Sequence, residues 1–246
     1  MIKIDGSQGE GGGQILRTSV SLAAALGEPI TIDNIRSNRP KPGLRPQHLH
    51  SIQTIAKLSN STTEGLDLNS TKISLHPNNI SSKNLDINIG TAGSITLLVQ
   101  SLLQSISISG KTFMFTITGG TDVNWSPSAD YLCRIVIPML EKFGFSINSS
   151  VIKRGFYPKG NGKIIFKVKS PTQIKSISII EPKYSNLAID GVITSGSSNL
   201  KSKTKIDEQC LYAKTFLEQH QLNIDSINTS THDSDSFSSG ICISST

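Results

Sequence analysis

Two glycine turns, each opening directly onto an apolar run with helical spacing, constrain this chain more than any other feature. GSQGEGGG at residues 6–13 leads into ILRTSVSLAAAL, and GTAGS at 90–94 leads into ITLLVQSLLQSI. Each turn follows a short stretch with strand alternation, at residues 1–5 and 85–89. Strand, glycine turn and helix form the first step of a βα unit. Meeting that step twice, about 80 residues apart, points to internal repetition.

The order of elements extends the repeat. The first helix places Ile15, Leu16, Ser19, Leu22, Ala23 and Leu26 on one face and ends at Gly27 and Pro29. A strand through Ile30, Ile32 and Ile35 follows, then the loop RSNRPKPGLRPQHLH, a helix on Ile52, Ile55, Ala56 and Leu58, and strands at 66–68 and 73–75. The second round has a strand in TFMFTIT, a polar loop GGTDVNWSPS, a helix over 129–143, and strands near 145–153 and 163–168. Both rounds read βαβαββ. The expectation is an α/β protein of the α+β type, with a large domain over residues 1–181 built from repeats at about 1–80 and 81–181. From Pro182 the texture changes, and residues 182–246 read as a small α/β domain. Its helix presents Cys210, Ala213, Phe216 and Leu217 to a core, and polar THDSDSFSSG separates its last two strands.

The first glycine turn has the physics of an anion site. Glycines let a ligand approach the backbone and leave the first amides of the helix free. Gly11, Gly12, Gly13 and Gln14 supply that backbone, and Arg17, one turn in, adds a guanidinium for phosphate. Glu10 would repel phosphate unless a divalent cation such as Mg²⁺ stood between them. The same carboxylate also suits a plain tight turn in which it complements the helix dipole. The motif matches neither the P-loop, lacking Lys-Ser/Thr, nor GxGxxG, where Gln14 replaces the third glycine.

Arg36, Arg39, Lys41 and Arg45 lie within ten residues, stiffened by Pro40, Pro42 and Pro46. Such a loop suits a phosphodiester backbone, or is simply a solvated basic loop. Gln47, His48 and His50 follow it into the next helix. GTAGS is a weaker anion-loop candidate that also reads as tight packing, and Gln100 in its helix can meet a ligand or a neighbouring strand. Asp122 and Asp130 suit metal, substrate or capping. Trp125 suits base stacking. KRGFYPKGNG at 153–162 is a basic hairpin-like turn with two aromatics. Net charge of +6 agrees with an anionic partner without naming one. Three scattered cysteines without a CxxC pair fit reduced thiols in a cytoplasmic protein, and no apolar run reaches membrane-spanning length.

Taken in order, IDGSQGEGGGQILRTSVSLA, IRSNRPKPGLRPQHL, IGTAGSITLLVQ, GGTDV and RGFYPKGNG resemble the RNA 3′-terminal phosphate cyclases. The match is dense to about residue 165 and topological beyond it. The resemblance implies repeated βαβαββ units with a small domain, here residues 182–246, inserted before a last unit. It implies ATP and Mg²⁺ or Mn²⁺ as cofactors and RNA with a 3′-phosphate as partner, the phosphate becoming a 2′,3′-cyclic phosphodiester. In that scheme a histidine is adenylated, AMP passes to the RNA phosphate, and the 2′-OH displaces it. Glu10 would then meet metal; Gly11, Gly12, Gly13, Gln14, Arg17 and Gln100 would meet ATP; and Arg36, Arg39, Arg45 and Gln47 would hold RNA phosphates.

The resemblance also implies a departure. Family members carry the adenylated histidine in a His-x-x-Ala-Asp segment, and His48, His50, His76, His220 and His232 all have other contexts. The expectation is therefore a fragment lacking its final repeat. A non-catalytic cyclase-like RNA-binding or ribosome-assembly factor and an enolpyruvyl transferase are the competing readings.

Overall fold

The computed structural model describes residues 1–180, 185–195 and 200–245. The first unit contains β1 (Ile2–Asp5), α1 (Gly13–Leu26), β2 (Ile30–Asp33), α2 (Pro46–Leu58), β3 (Thr62–Glu64) and β4 (Ile73–His76), with sheet order β1-β2-β4-β3. The second contains β5 (Asn84–Asn88), α3 (Ile95–Ser105), β6 (Thr112–Gly119), a second helical region, β7 (Ser146–Lys153) and β8 (Gly162–Lys169), with order β5-β6-β8-β7. The two sheets therefore follow one path. The first two strands pair in parallel across a helix, and the last two return antiparallel. The second helical region is one rod of three pieces: α4 (Ala129–Tyr131), a π-helical turn (Leu132–Val136) and α5 (Ile137–Lys142).

Alternation explains the second sheet. On β6, Phe113, Phe115 and Ile117 point inward, opposite Val168, Phe166 and Ile164 of β8. The Phe113 and Phe115 rings stack 5.8 Å apart. In the first sheet Thr31 and Ser74 are buried opposite one another, and their hydroxyls pair at 3.1 Å, so that a polar rung is satisfied internally. Helices α1 and α3 pack together, and the apolar residues of both units form one continuous core.

Two local expectations differ. Leu22 and Leu26 are exposed and Val20 and Ala24 are buried, so α1 turns a different stripe inward: the Leu16, Val20, Ala23, Ala24 face packs on the sheet and α3. The strand expected at 66–68 is instead β3 at Thr62–Glu64, because Gly65, with φ +68, sits tight against the Lys72 carbonyl and ends the pairing.

The last sheet, β10-β9-β11, has its own small core of Ile189, Ile193, Ile206, Cys210 and Ala213. It is made of β9 (Ala188–Ser195), α6 (Leu200–Gln219), β10 (Ser226–Asp233) and β11 (Ser239–Ser244). Phe216 is half exposed and lies against His220, outside that core. Arg134 Nη2 reaches the buried Asp190 carboxylate at 2.9 Å, and Lys153 pairs with Asp235 at 3.1 Å, tying this sheet to the second unit. The three cysteines are free thiols, and among the described residues no helix is long and apolar enough to cross a membrane.

Candidate functional site

The glycine loop is pinned at its entry and open at its exit. Asp5 accepts hydrogen bonds from the Ser7 backbone N–H and hydroxyl and from Asn34, which hold its carboxyl below the usual range. Gly9 and Gly11 take left-handed φ of +57° and +58°, a backbone that side chains resist. Helix α1 then begins at Gly13 with Gly12 as its cap, and no side chain caps its first amides. They remain available to an anion.

Beneath the loop lies His48, in the first turn of α2 and 8% exposed. A Cβ on Gly13 would fall 2.2 Å from its Nε2, so the imidazole occupies the space a side chain would need. The Arg45 N–H donates to Nδ1 at 3.2 Å, which leaves the neutral ring's proton on Nε2. Burial, and then the charges of Arg36, Arg17 and Arg45, depress the His48 pKa to about 4. With its one lone pair engaged, this ring is a neutral pad and not a nucleophile.

The cations around it are unevenly compensated. Arg39 Nη2 donates to Glu10 Oε2 at 3.0 Å, and Arg45 Nη1 to Asn69 Oδ1 at 3.0 Å. Arg17 and Arg36 have no acidic partner among the described residues, and Arg36 Nε is buried without a hydrogen bond. Burial lowers the pKa of both guanidiniums from its ordinary value. Buried charge without a partner is costly unless a ligand supplies one. The shortage is of negative charge.

Packing of α1 on α3 brings the remaining residues in. Gln14, Arg17 and Thr18 from α1 meet Gln100, Ser101 and Gln104 from α3, with Trp125, around a cavity of about 280 Å³. Gln100 also borders an apolar cavity of about 550 Å³ against Pro127, Tyr131 and Phe145. Gln47 lies apart from Gln100, in a cleft of about 440 Å³ with Ser94, Trp125 and Tyr157, and its Nε2 is buried without a partner. Glu10 is 90% exposed on its side chain, and among the described residues no three His, Cys, Asp or Glu side chains converge. A lone accessible carboxylate beside uncapped amides fits a Mg²⁺-type ion only when substrate phosphates complete the shell.

Asp122 and Asp130 are not free for metal or substrate. Both bind the buried Arg154, at 3.2 Å and 2.7 Å, and Asp122 also accepts the Ala129 N–H. Burial lowers the Arg154 pKa, but the hydrogen bond it donates to Asp130 and the charges of both carboxylates outweigh it and raise the value. Arg154 thus staples together the two ends of the loop that displays Trp125.

A sequence model of the RNA 3′-terminal phosphate cyclases matches residues 8–241. The chain belongs to that family. An RNA 3′-terminal phosphate cyclase of Pyrococcus abyssi is 43% identical over 225 residues, covering 91% of this chain and 64% of the relative. One from Pyrococcus furiosus is 50% identical over 169 residues, covering 69% and 49%. One from Methanosarcina barkeri is 39% identical over 243 residues, covering 99% and 71%. The chain thus spans roughly half to two thirds of the length of most cyclases it matches.

For a cyclase-family chain, two site features escaped the sequence reading. The pad formed by His48 under Gly13 joins residues 35 positions apart, with no local pattern to reveal it. The placement of Tyr157 and Trp125 on one cleft depends on Gly160, whose added Cβ would lie 2.8 Å from Ala92 Cα. The signal available was two aromatics in polar, glycine-rich turns.

Proposed function

We propose that this chain carries the ATP-phosphate and RNA-end binding surfaces of an ATP-dependent RNA 3′-terminal phosphate cyclase. The observation that carries this reading is the pair of half-buried guanidiniums, Arg17 and Arg36, left without acidic partners among the described residues beside the uncapped amides of α1. Gly11, Gly12, Gly13, Gln14 and Arg17 bind the nucleotide's phosphates, and the apolar cavity beside Gln100 accepts its flat base. Glu10, which pairs with Arg39 at 3.0 Å, would supply one carboxylate to Mg²⁺ or Mn²⁺, and such an ion would neutralise phosphate charge there. Arg36, Arg39 and Arg45 hold the RNA phosphates, and Gln47 meets the RNA end from the neighbouring cleft.

The chemistry is conversion of a 3′-phosphate to a 2′,3′-cyclic phosphodiester through enzyme-AMP and RNA-adenylate intermediates. Held in place, the 2′-OH attacks as an intramolecular nucleophile and gains from proximity. His48 is not the residue that accepts AMP in this scheme, because Nδ1 already accepts the Arg45 N–H.

Equilibrium binding of labelled oligoribonucleotides ending in 3′-phosphate or 3′-hydroxyl tests the reading. The phosphorylated end binds more tightly, and Arg36→Ala removes the preference, with a loss of about 1.5–3 kcal/mol for a charge-assisted contact, whereas Arg17→Ala weakens ATP binding and leaves the preference in place. Equal affinity for both ends in the unmodified chain would overturn it.

A further inference from the structure

Trp125 is the chain's single tryptophan and is 100% exposed, with φ of +65°. A bulky residue in that conformation is an outlier, held here by the Arg154 clamp on Asp122 and Asp130. Neither burial nor pairing explains an indole in this position. Tyr157 is 74% exposed and lines the same cleft of about 440 Å³, a volume within the usual range of about 300–1,000 Å³ for small-ligand sites. Gln47 contributes an amide nitrogen that is buried and unpartnered. Trp125 and Leu97 also line the Arg17–Gln100 cavity, so the cleft adjoins the phosphate site.

We propose that the Trp125–Tyr157 cleft binds an unpaired nucleobase next to the 3′ end of a single-stranded RNA, by stacking on the indole, with Gln47 as a polar contact. The inference rests on the phosphate-site reading above and adds the surface that holds the base. Two exposed aromatic faces and one donor suit a base, since every base offers a π face and acceptors. The chain's net charge of +6 suits the polyanion. The ATP base has its own apolar cavity beyond Gln100, which leaves this cleft to the second substrate.

The lone indole is also the probe. A 3′-phosphorylated hexaribonucleotide should quench and shift the tryptophan emission. The same oligomer lacking its last two bases should leave it unchanged. Trp125→Ala and Tyr157→Ala should each weaken labelled-oligomer binding about 5- to 150-fold, and Trp125→Phe should restore most of it. Both side chains are exposed, so the variants spare the core. Quenching by ATP with Mg²⁺ but not by RNA would overturn the proposal. So would undiminished RNA binding by both alanine variants; if 3′-phosphate preference persisted, the phosphate-site reading would survive alone. Loss of binding in those variants without any 3′-phosphate preference would have the reverse meaning.

Discussion

The glycine turns ahead of α1 and α3 occupy the same step of the same sheet topology and differ in what surrounds them. Ahead of α3, the Ser94 hydroxyl accepts the Leu97 N–H at 3.2 Å, the Ile95 N–H bonds to the Gly120 carbonyl at 2.9 Å, and the β7–β8 turn rests Gly160 on Ala92. Ahead of α1, no side chain caps the helix, and the neighbours are guanidiniums. Equivalent backbone paths therefore leave the helix amides differently met, and only the turn ahead of α1 combines unmet amides with a positive local field, the two conditions that the proposed anion site requires. The closed turn serves instead as a floor for the Trp125–Tyr157 cleft.

The largest test of this contrast removes the clamp beside the closed turn. Arg154→Ala strands two largely buried carboxylates and should cost about 3–5 kcal/mol in denaturant unfolding. An Arg154→Ala change below 1 kcal/mol would show that the loop needs no staple.

Next is the pad under the open turn. The folded chain keeps His48 neutral down to about pH 4, while the unfolded ring takes a proton near the ordinary imidazole value of about 6.5. The stability conferred by the neutral ring is whole above pH 6.5, drains as pH falls toward 4, and amounts to at most about 3 kcal/mol. His48→Asn removes that titration, so the difference between the two stability curves should slope only in this window. Parallel curves would refute a buried neutral imidazole.

Ser94→Ala opens the closed turn by deleting its cap and should destabilise by about 1 kcal/mol without creating phosphate affinity, because no guanidinium cluster faces it. Phosphate binding gained at that turn would mean amides suffice. The smallest effect comes from closing the open turn. Gly12 has φ of −82°, and a Cβ there meets Arg39 Nη2 at an ordinary 3.5 Å, so Gly12→Ser fits. A serine cap should stabilise α1 by a few tenths of a kcal/mol and weaken phosphate binding, measured by calorimetry.

Much of the framework was legible in the residues. Strand alternation, glycine turns and helix stops placed the βαβαββ order in both units, and Ile52, Ile55, Ala56 and Leu58 are buried as their spacing requires. The α1 stripe was misread because Leu22 and Leu26 are apolar by type, yet α3 packs against a neighbouring face. Asp122 and Asp130 were legible as acids, but their partner lies 32 and 24 residues further on.

The amino-acid order by itself determined which segments can bend and which carry charge, because glycine freedom, proline stiffness and helical period act over a few residues. It set the bare amides at Gly11, Gly12 and Gly13 and the cations from Arg36 to Arg45. Only the tertiary structure decided that Gln100 and Arg17 line one cavity, that an imidazole fills the space under Gly13, and that Arg17 and Arg36 have no acidic partner among the described residues. Those outcomes depend on α1 packing against α2 and α3, which brings side chains distant in sequence together.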